Sequence, residues 1–211
     1  MNKSKEFIVI GNGGHASVVI DLLESCHYKI AGVLVKDWKN KKFMGYPVLG
    51  DDSLLMSFKK NKYFFAIGIG TFKNSSKTRK DVFQRLKKLK LLIPPIVHSS
   101  AIVSPRAELL EGCQILSGAI VGVNAKVGEN TIVNTNSSID HHSILNRHCH
   151  IAPSVTICGN VILGENVFVG AGSTIINDIK IGNNCLIGAG SLVIKDITIS
   201  GKYFGNPVKK K

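Results

Sequence analysis

Acidic residues are scarce in this chain: 14 Asp and Glu face 27 Lys and Arg, a formal net charge of +13 over 211 residues. That excess suits an anionic ligand such as a phosphorylated cofactor or a nucleotide; a lysine-rich solvated surface gives the same composition. Aromatic residues are also few, at 7%, and they do not interleave with the basic ones, which argues against nucleic-acid binding. The five cysteines are an odd number without metal-type spacing. No apolar run reaches membrane-spanning length, and the N-terminus shows no signal-peptide core, so the expectation is a cytoplasmic protein without membrane insertion.

What the chain does have is a beat. From Val103 to Val193 an aliphatic residue recurs at every sixth position, sixteen in all, through Ile115, Val121, Ile139, Ile157 and Ile175. Four positions after each anchor runs a second, uncharged and mostly small series, with Ala119, Ser137, Ser143, Cys149 and Ser173 among its members. Glycine directly follows the anchor at 122, 128, 164, 170, 182 and 188. A period of six fits neither a helix nor a plain strand. It fits a repeat in which short strands alternate with tight turns. Three hexapeptides would close one triangular coil, residues one coil apart would stack, and the anchors would fill the prism. Glycine is expected to supply unusual φ at the corners. Cys113, Cys149 and Cys185 fall two coils apart in the small series, which suits inert packing.

The first 95 residues read differently. Residues 7–10 form a short apolar run, expected as a buried strand. Gly11-Asn12-Gly13-Gly14-His15-Ala16 follows, then a helix over residues 18–23. Strand, glycine turn and helix make a βα unit whose backbone N–H groups face a phosphate. A second strand over 30–35 ends at Lys36 and Asp37, where an acid suits a ribose hydroxyl. Residues 46–50 read as a turn and loop, with a helix near 51–59. A third strand over 63–67 ends at Gly68, and a helix covers 78–90. Pro94-Pro95 marks the boundary. The expected fold is an α/β, Rossmann-like βαβ domain over residues 1–95, sized for a mononucleotide, followed by the prism over 96–211. Gly13, Gly14, His15, Asp37 and Gly68 fall at the strand C-ends, where such sheets bind ligands.

Four of the seven histidines lie within ten residues: His141, His142, His148 and His150. His141 and His142 sit two and three positions past anchor Ile139, at an outward corner. Histidine suits general-base work near neutral pH, and acyl transfer needs such a base to take the nucleophile's proton. The thioester carbonyl also needs an N–H donor. A zinc site between coils is the rival reading. It finds Pro105, Arg106 and Gln114 two coils before His141, His142 and His150, so no third histidine stacks and no metal is expected.

These features together resemble the NeuD/PglD/PerB family of bacterial sugar acyltransferases. The carriers are residues 11–16, Ala66-Ile67-Gly68, the junction Pro95-Ile96-Val97-His98-Ser99-Ser100-Ala101, Asn134-Thr135, Asp140-His141, His150-Ile151-Ala152-Pro153 and Phe204-Gly205-Asn206-Pro207. The resemblance implies a left-handed β-helix, acetyl-CoA as co-substrate, and a homotrimer with active sites between adjacent prisms. It makes His141 the general base and puts His150 at the thioester. Gly159, Ala171 and Ala189 would lie along the CoA arm. Gly13, Gly14, His15, Lys36, Asp37 and Gly68 match the nucleotide-sugar site, and Asn134 a polar residue near the sugar. There are two departures. The family's base is usually followed by an acid, and here His142 stands there. The link from Gly68 to a following arginine is also longer, which makes Arg79 a candidate phosphate contact.

The expected activity is N-acetylation of a nucleotide-linked amino sugar, a 4-amino-4,6-dideoxyhexose, for surface glycan synthesis. The amine attacks acetyl-CoA directly while His141 removes its proton. O-acetylation of a sialic-acid-type sugar is the alternative within the family. A non-catalytic trimeric nucleotide-binding protein, and a zinc prism of the carbonic-anhydrase type, are the alternatives outside it.

Overall fold

The computed structural model describes residues 5–36, 39–59, 61–71 and 75–211. The chain divides between Ile96 and Val97 into two compact units. Among the described residues no helix is long and apolar enough to cross a membrane.

In the first unit, β1 (Glu6–Ile10), β2 (Ile30–Leu34), β3 (Lys42–Phe43), β4 (Tyr46–Gly50) and β5 (Tyr63–Ile67) form one sheet in the order β3-β4-β2-β1-β5. β1 runs parallel to both β2 and β5, and β2 parallel to β4. The apolar run of β1 sits at the sheet's middle, with Phe7, Ile8 and Val9 fully buried, as strands covered on both faces require. Helix α1 (Gly14–Ser25) buries Ala16, Val19, Ile20, Leu22 and Leu23, one face at helical spacing. Helix α2 (Ser75–Lys88) buries Val82, Phe83 and Leu86 in the core that holds Phe65 and Ile67 of β5.

Two expectations need correction here. Residues 46–50 are not a loop; they are β4, which pairs β2 on one side and the two-residue β3 on the other. Pro47 obscured this strand, and it is tolerated because β4 lies one short strand from the sheet's edge. The helix expected near 51–59 is a single 3-10 helix, Asp52–Met56, whose start is capped by Asp51 accepting from the Ser53 N–H at 2.8 Å.

The second unit is a three-sided column whose repeat strands run parallel; its sheets hold six, five and eight strands, the last including an antiparallel strand from the C-terminal tail. The repeat sets the register: Ile139 pairs with Val121 on the coil before and Ile157 on the coil after. Every anchor from Ile115 to Val193 is at most 2% exposed. The small series from Cys113 to Ile197 is buried as well, and its hydroxyls are all used. Ser143 Oγ donates to the Cys158 carbonyl at 2.9 Å and accepts from the Val161 N–H at 3.1 Å. Thr131 and Ser173 repeat this bracket between coils. A buried hydroxyl with both partners costs little and ties successive coils together. Residues 201–204 add a strand beside Cys185–Ile187, and Lys209–Lys210 folds back antiparallel on it.

The corners differ from expectation. The left-handed backbone does not fall on the glycines that follow the anchors but two positions later, at every sixth residue from Gly112 to Gly190. Asn124, Asn130, Asn136, Asn160, Asn166 and Asn184 hold six of these positions, and His142 (φ 58) and His148 (φ 63) hold two. Asparagine tolerates this region better than other side chains. The glycines after the anchors serve close approach instead. A Cβ on Gly128 would lie 2.6 Å from the Asn146 carbonyl carbon on the next coil.

Candidate active site

In the first unit the chain leaves β1 through Gly11 (φ 118) and enters α1. A Cβ on Gly68 would lie 2.7 Å from that of Ala16, so this glycine lets the start of α1 approach the end of β5. Gly13 and Gly14 are different. Nothing lies within 4 Å of a side chain built at either, so internal packing does not demand them. They leave room outside the fold. Helix α1 starts with no side-chain cap and no acid in its first turn, so its first N–H groups face that space. A cavity of about 760 Å³ opens there, lined among others by residues 11–15, Lys36, residues 68–70 and Thr78, and by Arg85 together with the acidic Asp52 and Asp81.

His15 lines this cavity from the first turn of α1, not from the glycine turn before it, with its Cβ facing Gly70. Asp37 lies outside the described residues. Arg79 is not a phosphate contact: it is fully buried, and its guanidinium donates to the Ile67 and Ile69 carbonyls at 2.9 and 2.7 Å. It braces the end of β5 around Gly68. Arg85, one helical stretch further on, lines the cavity and pairs with Asp52 at 3.3 Å. Sequence reasoning favoured the first arginine after Gly68; α2 turns the second one toward the opening.

In the column, the turn between strands Ser138–Ile139 and Ile144–Leu145 carries the histidine pair. Its backbone is fixed between coils: the His142 N–H donates to the Val123 carbonyl, and the Asn160 N–H to the His141 carbonyl, each at 3.0 Å. Asp140 accepts from the His141 backbone N–H at 2.7 Å. Its carboxylate therefore stiffens the turn and does not stand behind the imidazole. His142 takes that place, with Nδ1 3.1 Å from His141 Nδ1 and Nε2 3.1 Å from Asn124 Nδ2. The half-exposed His141 ring lies directly on Gly159, where a Cβ would come within 2.5 Å of Nε2. Below it, burial and then the Asp140 charge push the Cys158 thiol up, away from the thiolate that a nucleophilic cysteine needs.

His150 lies on the third face, in strand His150–Ile151, with its ring 5.1 Å from that of Phe168. Asn134 Oδ1 accepts from the Thr135 N–H at 2.8 Å, which leaves Nδ2 to face His150 Nε2 at 3.3 Å. An amide nitrogen only donates, so His150 Nε2 accepts and the neutral ring carries its proton on Nδ1. Ala171 and Ala189 lie exposed, one coil apart, on the edge that follows this face. Within one chain, then, His141 and Gly159 share one edge of the prism, while His150 stands on the opposite face. Stacking at eighteen residues places Val123 and Gly159 beside His141, and Asn124 and Asn160 beside His142; the structure brings Gly159 against the His141 ring and Asn124 against His142. Asn134 as a partner of His150 was not read from sequence. Among the described residues no group of three His, Cys, Asp or Glu side chains could hold a metal ion.

A small α/β unit with an open glycine-lined cavity, joined to a hexapeptide column bearing an edge histidine, defines a class: sugar acyltransferases of the hexapeptide-repeat type. Residues 6–86 match the family described as PglD N-terminal domain, and residues 160–195 match bacterial transferase hexapeptide (six repeats). The chain is similar to a histidine-to-asparagine variant of perosamine N-acetyltransferase from Caulobacter crescentus, in complex with CoA and GDP-perosamine. That match has 30% identity and a TM-score of 0.91, covering 98% of this chain and 96% of that one. It is also similar to the acetyltransferase domain of PglB from Neisseria gonorrhoeae in complex with acetyl coenzyme A, at 27% identity and TM-score 0.90, covering 98% and 99%. WeeI from Acinetobacter baumannii, 20% identical with TM-score 0.85 over 98% and 100%, shares the fold. The chain belongs to the NeuD/PglD/PerB family of bacterial sugar acyltransferases, and its column is that family's left-handed β-helix.

Proposed function

We propose that the protein transfers an acetyl group from acetyl-CoA to the amine of a nucleotide-linked amino sugar, with His141 as general base. The observation that carries this reading is the His141 ring: half-exposed at a rigid edge, seated on Gly159, with its inner nitrogen held by His142. The amine attacks the thioester carbonyl carbon and hands a proton to His141 Nε2. The tetrahedral intermediate collapses, the C–S bond breaks, and the CoA thiolate takes that proton. His150 Nδ1–H is suited to the carbonyl oxygen as charge develops there. The protonated state favoured at Cys158 supports direct transfer over an acyl-cysteine route.

The nucleotide sits in the cavity of the first unit. Its phosphates meet the uncapped start of α1 at Gly13 and Gly14, with Lys36 beside them and Arg85 within reach once it leaves Asp52. His15 and Gly68 complete the cradle. The assembly is a homotrimer. The family resemblance supports it, and so does the geometry: if His141 and His150 serve one thioester, an edge and the face opposite it meet there only when they come from two copies. The exposed apolar side chains agree. Ile102 and Ile120 lie on the Ser138–Ile139 face, and Val123, Ile176 and Ile194 lie on the edge that carries His141.

His141→Ala is expected to lower kcat by about a hundredfold or more with the trimer intact. CoA release assayed with UDP-, GDP-, dTDP- and CMP-linked amino sugars, beside sialic acids, measures it and names the acceptor. Turnover near wild type in the variant removes His141 from the chemistry. Activity on sialic acids alone replaces N- by O-acetylation.

A further inference from the structure

His141 lacks an acidic neighbour on its ring. In its place runs a chain of three side chains: Asn124 Nδ2 lies 3.1 Å from His142 Nε2, and His142 Nδ1 lies 3.1 Å from His141 Nδ1. Such a chain has one direction at a time. An amide nitrogen only donates, an amide oxygen only accepts, and a neutral imidazole has one N–H and one lone pair. With Nδ2 toward His142, as the structure holds it, His142 Nε2 accepts and its proton sits on Nδ1. His141 Nδ1 then accepts, and His141 carries its proton on Nε2. That outer nitrogen is a donor. A half-turn of the Asn124 amide reverses both bonds. Oδ1 accepts from His142 Nε2–H, His142 Nδ1 accepts from His141 Nδ1–H, and His141 Nε2 keeps its lone pair. That outer nitrogen is a base.

We propose that Asn124 is a positioning residue that sets the tautomer of His141 through His142, Nδ2 inward giving the resting state and Oδ1 inward the working one. This rests on the acetyl-transfer reading for the direction of proton movement. In the working state the amine proton arrives on His141 Nε2, and the resulting imidazolium still donates from Nδ1 to His142. The Nε2 proton then passes to the CoA thiolate, and the working tautomer is restored with nothing gained or lost. The chain thus supplies a direction that an acid would otherwise impose, without adding a charge.

The backbone makes the test clean. Asn124 holds a left-handed corner at φ 57, and Asp178 (φ 65) and Gly172 (φ 66) hold equivalent corners of the same column. Asn124→Asp and Asn124→Gly therefore both fit the fold. Aspartate offers acceptors only, and glycine offers nothing. Histidine 15N NMR of the full chain at about pH 8, where imidazole is neutral, reads the tautomer, with His141→Ala assigning the signals. In Asn124→Asp, His141 is expected with Nδ1 protonated and Nε2 bare, and kcat at or above wild type. In Asn124→Gly the tautomers are expected to mix. Its kcat falls a few-fold, by the fraction of rings left with Nε2 protonated, while both KM values stay within about twofold. One tautomer shared by wild type and both variants overturns the proposal, whatever the activities. An inactive His141→Ala beside an Asn124→Gly with wild-type kcat overturns it too, and leaves His141 as the base. If His141→Ala turns over normally, His141 is not the base although acetyl transfer stands, and the NMR comparison alone decides the role of Asn124.

Discussion

At the scale of single residues, the site depends on which positions carry no side chain. Gly159 is buried, does not need a left-handed backbone, and touches the His141 ring across one coil. A methyl group there would reach Nε2, Cε1 and Nδ1, and Nδ1 would be 3.0 Å away. The ring is the far end of a half-exposed side chain, so it would swing outward while the backbone stayed. Gly159→Ala is therefore expected to leave the melting temperature within a few degrees of wild type. Its kcat should drop by about tenfold or more, since a base displaced by an ångström loses its alignment, with a smaller change in KM for acetyl-CoA. Steady-state kinetics beside thermal melting checks this. A large loss of stability with kcat preserved in the folded fraction would mean that Gly159 serves packing alone. His142 illustrates the opposite case, a bulky side chain in a corner position that asparagine usually fills. The left-handed φ there turns its ring back toward His141 and Asn124, so the same residue serves the corner and the hydrogen-bond chain.

At the scale of elements, α1 separates what packing requires from what a ligand requires. Gly68 is fixed by contact with Ala16, whereas Gly13 and Gly14 face open space. Gly14→Asp therefore fits sterically, and an acid in the first turn favours the helix by about 0.3–1 kcal/mol. The melting temperature should hold or rise. The same carboxylate would stand where the phosphates bind, so KM for the nucleotide sugar should rise tenfold or more while KM for acetyl-CoA stays put. An unchanged nucleotide-sugar KM would move the nucleotide away from α1. The elements also show what could be read in advance. The column was legible because each buried anchor obeys one period, and Ile115 through Val193 sit where that period places them. The apolar runs that begin at Phe7 and Tyr63 announce β1 and β5. β4 was hidden because Pro47 weakens the local signal, and its pairing with β2 depends on partners distant in sequence. Arg79 was misjudged because spacing along a helix does not reveal which of two arginines meets buried carbonyls. The corner glycines were misread for a related reason: a missing Cβ serves close approach as often as unusual φ, and only the neighbouring coil shows which.

At the scale of the whole molecule, the prism sets a constraint that no side chain can remove. The turn bearing His141 joins the Ser138–Ile139 face to the Ile144–Leu145 face, and His150 stands on the third. In a three-sided column that edge and that face point away from each other. A base and a carbonyl donor so placed cannot serve one thioester in one chain, but they meet if copies associate head to tail around a threefold axis, a heterologous contact that closes into a ring. Each site would then take His141 from one subunit and His150 from the next. Subunits carrying His141→Ala and subunits carrying His150→Ala, each inactive when pure, should complement when co-expressed. With random assembly at equal amounts, about one interface in four pairs an intact His141 with an intact His150. Specific activity should accordingly recover to about a quarter of wild type. Mixing the two proteins after purification should recover less if subunits exchange slowly. Co-expressed trimers as inactive as either parent would show that both histidines act within one chain, or that one of them lies outside the site, and the intersubunit arrangement would fall.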